Sequence, residues 1–133
     1  MLLDKLLLDE VTAKAKESPR LRMNFNLHES FDSKVQRLFN AMEPGTVVPI
    51  QRHQNTAETM LLVRGKMKVY FHDSEGEVID TFILSPEDGV YGVHIPKGQW
   101  HSVEILESGT VMFEVKEGPY APLSNDDIIE RQV

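Results

Sequence analysis

From Thr46 onward the chain breaks into short apolar or alternating runs: 46–51, 57–63, 66–72, 77–84, 91–95, 99–105 and 109–116. Turn-forming clusters separate them, namely Arg64-Gly65, 73–76, 86–89, 96–98 and 107–109. Many short strands at regular turn spacing argue for a sandwich or barrel. With 133 residues, the chain is read as a single domain with enough length to bury a core.

The first 45 residues have a different texture. Leu3, Leu6, Leu7, Val11 and Ala15 recur at spacings of three and four, which predicts a helix over 2–16 that Ser18-Pro19 ends. Residues 21–28 then alternate, with Leu21, Met23, Phe25 and Leu27 on one face. Arg22, Asn24, Asn26 and His28 fall on the other, the period of a half-buried strand. Asp32 or Ser33 is placed to cap a second short helix running to about Met42, with Val35, Leu38 and Phe39 turned inward. The expected organisation is a helix-strand-helix extension over 1–45, a barrel over 46–118 and a loosely packed acidic tail over 119–133.

Charge and composition narrow the function. Fourteen Lys and Arg against twenty-one Asp and Glu leave a net charge of −7. That balance disfavours phosphate backbones and anionic membrane surfaces, so neither nucleic acid nor membrane is an expected partner. The chain has no cysteine, which removes disulfides, thiolate metal sites and Cys nucleophiles. Asp4, Asp9 and Glu10 interrupt the apolar N-terminus, so it reads as cytoplasmic structure and not as a targeting segment.

Divalent metals are held by several N and O donors converging from a rigid frame. Gln51 and His53 are two apart, as on one strand face, and Glu58 opens the next run with Met60 and Leu62 on its side. His101 opens a later run in which Val103 and Ile105 share its parity. Both halves thus set a candidate ligand at the mouth of an apolar interior. His72 and His94 have no partner at such spacing and read as surface or structural residues, with His72 solvated beside its turn. Trp100, of opposite parity to His101, reads as outer-layer core or a dimer contact. Glu114 and Lys116 share a face and read as an ion pair.

The segment from Gly45 to Gly65, with Gln51-Arg-His53 and Glu58 inside it, resembles the first cupin motif, and Pro96-Lys-Gly98-Gln-Trp-His101 is similar to the second. The departures are Gln51 in place of a His, Ile105 in place of the closing Asn, and Gly89 one residue out of register. Residues 18–28, Gln36-Arg37 and 113–120 extend the likeness to the WbuC-type cupin-fold metalloproteins, small bacterial proteins often encoded near surface-polysaccharide genes. The resemblance implies a fold that is all-β with short N-terminal helices, a double-stranded β-helix or jelly-roll barrel. It also implies that His53, Glu58 and His101 take the positions of three metal ligands and Gln51 that of a fourth, either coordinating or only bordering the site.

Two His and one carboxylate suit Fe, Mn, Ni or Zn. Arg22, Asn24, Asn26 and His28, with Arg37 and Tyr120, are the candidates for contacting a small-molecule substrate; the alternative for that polar face is the solvent side of an edge strand. A homodimer with 21–28 at the contact is expected, since a barrel edge must be managed. Two functions follow: a metal-dependent enzyme acting on a sugar-like or nucleotide-sugar substrate, or a non-catalytic binding or sensor module in which Gln51 has weakened the metal.

Overall fold

A computed structural model describes residues 1–130. The chain folds into two facing five-stranded antiparallel sheets with one α-helix against the outside of the first. In chain order the elements are α1 (Lys5–Glu17), β1 (Arg22–Asn26), β2 (Val35–Met42), β3 (Ile50–Gln51) and β4 (Glu58–Arg64). Next come β5 (Met67–His72), β6 (Val78–Leu84), β7 (Gly92–Ile95), β8 (Trp100–Ile105), β9 (Thr110–Glu117) and β10 (Ile128–Ile129). One sheet has the order β1-β2-β9-β4-β7 and the other β10-β3-β8-β5-β6. This is the expected jelly-roll barrel. No helix among the described residues is long and apolar enough to cross a membrane.

Alternation along the strands builds two cores. Met42, Met60, Leu62, Met67, Val69, Leu84, Ile95, Ile105 and Met112 fill the space between the sheets. The opposite face of the first sheet presents Phe39, Ala41 and Val111 to Leu8, Val11 and Ala15 of α1. Asp4 caps that helix, its carboxylate accepting from the Leu7 N–H at 3.1 Å.

The segment expected to be a second helix is instead β2, lying between β1 and β9. Its apolar residues mimic a helical period because the strand is buried on both faces, by α1 outside and the barrel core inside. The extension over 1–45 therefore supplies two strands of the first sheet. The tail is also more structured than expected. Ile128–Ile129 pairs with β3, and the Asp127 carboxylate accepts from Arg52 Nε at 3.1 Å and Gln54 Nε2 at 2.6 Å.

Candidate metal centre

Three elements bring three donors to one place. Glu58 is the first residue of β4, and its parity with Met60 and Leu62 turns it into the barrel. His101 lies on β8, where its ladder partner on β5 is Phe71. His53 follows β3 in a loop fastened to the 96–98 turn by Gly98 N–H donating to the His53 carbonyl at 2.8 Å. Their donor atoms all lie within 4.8 Å of one another. Glu58 Oε1 is 3.4 Å from His101 Nε2 and 3.7 Å from His53 Nε2. Two donors held ~2.1 Å from a tetrahedral ion would stand about 3.4 Å apart, so the cluster is close enough to bind a metal.

Unpaired polarity supports the fit. Glu58 and His101 are 2 % and 1 % exposed. Glu58 Oε1 and His101 Nε2 are nevertheless buried without a hydrogen-bond partner, an arrangement that costs roughly 1–3 kcal/mol per group unless something fills the gap. The other nitrogen of His101, Nδ1, is 2.9 Å from the Gln99 carbonyl. Only an N–H can satisfy that oxygen, so Nδ1 carries a proton, and Nε2 is the nitrogen turned toward Glu58 and free to ligate in the neutral ring.

The surroundings lower the pKa of two of the donors, Glu58 and His53. Burial pushes the Glu58 carboxyl up, but the imidazoles of His101 and His53 and the Lys116 ammonium together hold it below the ordinary value. Burial depresses the His53 imidazole, with Glu58 pulling the other way and Lys116 and His101 adding to the depression.

Gln51 is the ladder partner of His101, so its side chain stands on the same, inward face of the sheet. Sequence reasoning assigned Lys116 to an ion pair with Glu114. In the structure Lys116 is flanked by Glu58 on β4 and Gln36 on β2. It also lines a cavity of about 490 Å3 whose wall includes His53, Asn55, Tyr120 and Asp127. Its parity with Glu114 was visible in the sequence; its neighbour Glu58, fifty-eight residues upstream, was not.

The remaining candidates separate. Tyr120 borders the His53 cavity and packs on Phe31, ring centroids 4.9 Å apart. His28 is buried, its Nδ1 accepting from the Arg37 N–H at 3.1 Å. Continuing the β1–β2 register past Asn26↔Leu38 sets His28 beside Gln36, in the same cross-sheet row as Lys116 and Glu58. Asn26 is exposed two residues away. Arg22 and Asn24 lie further along β1 and border a different cavity. Arg37 shares its side of β2 with Phe39 and Ala41, the face that packs on α1, and so points away from Arg22 and Asn24. His94 is exposed and pairs with the Thr59 hydroxyl at 3.0 Å. His72, expected in solvent, is 1 % exposed, with Nε2 2.8 Å from Ser102 Oγ. Trp100 is buried beneath the Arg52 guanidinium, 4.6 Å from its ring centroid.

The profile of a family described as "Domain of unknown function (DUF6016)" matches residues 3–84, more than half of the chain. The chain belongs to this family. None of the curated proteins matches the DUF6016 chain. Among solved structures it is similar to KdgF from Halomonas sp., with TM-score 0.61 and 15% identity over 78% of this chain and 84% of that one. It is also similar to the capsular polysaccharide assembling protein CapF from Staphylococcus aureus, with TM-score 0.66 and 23% identity over 79% of this chain. The DUF6016 chain spans only 28% of CapF. The cupin domain of Schizosaccharomyces pombe Cnp3 aligns with TM-score 0.58 and 12% identity, over 72% of this chain and 64% of that one. These likenesses establish the cupin fold.

Proposed function

We propose that the DUF6016 chain is a WbuC-type cupin metalloprotein, an enzyme that binds one divalent transition ion through His53, Glu58 and His101 and acts on a small polar, sugar-like substrate. The carrying observation is the pair of unpartnered buried atoms, Glu58 Oε1 and His101 Nε2, facing one another across 3.4 Å. Two imidazoles and one carboxylate leave coordination positions open for a substrate oxygen, and suit Fe, Mn, Ni or Zn. A bound ion supplies Lewis-acid polarisation of that oxygen.

The protein's own residues do the rest. Lys116 holds a positive charge at the wall of the cavity beside His53, where it attracts and orients a carboxylate, phosphate or sugar hydroxyl. Tyr120, across that cavity, offers an aromatic face and a hydroxyl to a sugar ring. A role in surface-polysaccharide metabolism draws support from the likeness to CapF, itself a capsular polysaccharide assembling protein. We place the protein in the cytoplasm.

Gln51 favours a second reading, a non-catalytic ligand-binding or sensor module with weakened metal. An amide oxygen opposite His101 is a poorer donor for late transition metals than the imidazole usual in cupins. Metal analysis of untagged protein purified without chelator decides between them. Stoichiometric metal that disappears in His101→Ala supports the enzyme. A folded protein that stays metal-free even after incubation with each of the four ions supports the module.

A further inference from the structure

The polar side of β1 ends in a second site. A cavity of about 340 Å3 is lined by Ser18, Arg20, Arg22, Met23, Asn24 and Asn40. Arg22 is six residues from His28 along an extended segment, so this cavity lies about 20 Å from the row that carries the metal donors.

Two charged side chains meet here with nothing to neutralise them. Among the described residues neither Arg20 nor Arg22 forms an ion pair, although the chain carries 21 carboxylates against 14 Lys and Arg. None of those carboxylates lines the cavity. Glu43, which follows the ladder partner of Arg22, is already engaged by the Ser108 hydroxyl and by the Gly109 N–H at 2.6 Å. Arg22 Nε, a donor, and Asn40 Oδ1, an acceptor, are both buried without a partner. Burial and the neighbouring Arg20 each press on the Arg22 charge, which is the strain an anion would relieve.

The backbone between the arginines is itself unusual. Leu21 has φ 56°, a left-handed conformation that leucine rarely adopts. It is held from both sides, its N–H donating to Ser18 O and its carbonyl accepting from Glu43 N–H, each at 2.9 Å. Such locally costly conformations persist where the surrounding structure enforces them, and they concentrate at ligand sites.

We propose that this cavity binds an oxyanion bearing an adjacent hydroxyl, a phosphate ester or a hydroxycarboxylate. The Arg22 guanidinium donates side-on to two anion oxygens, Arg20 adds the second positive charge, and Asn40 Oδ1 accepts from the hydroxyl. The site stands apart from the metal centre and does not depend on it.

The test is an NMR titration of the Arg22 Nε–H and Asn40 side-chain resonances in chelator, using glycerol 1-phosphate, glycerate, inorganic phosphate and glycerol. The expected result is saturable shifts with glycerol 1-phosphate or glycerate, weaker binding of inorganic phosphate and none of glycerol. Which of the first two binds tighter identifies the anion. Affinity falls about tenfold or more in Arg22→Gln and partly recovers in Arg22→Lys, while His101→Ala leaves it unchanged. Absence of saturable shifts in the folded wild type up to about 10 mM ligand would overturn the proposal. Affinities that Arg22→Gln and Arg22→Lys both leave untouched would do the same.

Discussion

Gln51 stands directly opposite His101 in the β3–β8 ladder, so an amide faces the barrel interior beside a metal-competent imidazole. Gln51→His adds a third imidazole to the donor set. Divalent affinity should rise by about tenfold or more, equivalent to ~1.4 kcal/mol. The gain should be larger for Zn and Ni than for Mn, because nitrogen donors favour the later metals. Competition against a chromophoric chelator measures it, and unchanged affinity for every ion would place Gln51 outside the coordination sphere.

In chelator, the protein should lose stability on acidification. The folded pKa of His53 lies below its ordinary 6.5 and that of Glu58 below its ordinary 4.5. A depressed pKa means that the unfolded chain takes up the proton first, so the stabilisation is complete above the unfolded value and drains away as pH falls through the folded one. His53 acts below pH 6.5, and Glu58 adds its loss below pH 4.5. Urea midpoints should fall between pH 7 and pH 5, and His53→Gln should flatten that slope. A midpoint that rises as pH falls would show the sign to be wrong.

Gly65, in the β4–β5 turn, combines a left-handed backbone with a close approach by a neighbouring strand. Its φ is +95°, and an added Cβ would lie 2.2 Å from Thr110 Oγ1 and 2.6 Å from the Thr110 backbone. Gly89 has φ +80° but open space around it. Gly89→Ala should cost about 1–2 kcal/mol, the left-handed penalty alone. Gly65→Ala adds overpacking of about 1–3 kcal/mol. Equal denaturation midpoints for the two variants would refute the steric argument.

β1 is an edge strand of its sheet, and such an edge invites pairing with a second copy. Light scattering at micromolar concentration should give about twice the 15.2 kDa chain mass. An Asn24→Pro change, which removes a backbone donor from the side of β1 not paired with β2, should lower that mass if the edge forms the contact. A monodisperse monomer in the wild type would contradict this assembly.

Legibility followed burial. From β4 to β9 the strands could be read from alternation and turn residues, because most have one apolar and one polar side. β2 could not, since α1 covers the face that would otherwise have been polar and the remaining apolar spacing imitates a helix. β10 is only two residues long and acquires its meaning from β3. The approach of His53, Glu58 and His101 was anticipated from spacing and family likeness. Lys116 was missed as a neighbour of Glu58, and Arg37 was grouped with Arg22 although it faces α1. Both depend on strand register, which a linear reading does not supply. His72 misled because a residue next to a turn is usually solvated, whereas here its ring lies 2.8 Å from Ser102 of β8.

The most direct test is an anomalous-difference map from crystals of untagged protein loaded with Zn or Mn. A single peak ~2.0–2.2 Å from Nε2 of His53, Nε2 of His101 and a carboxylate oxygen of Glu58 is the predicted result. A peak bound elsewhere, or no peak between these three side chains at saturating metal, would contradict the account.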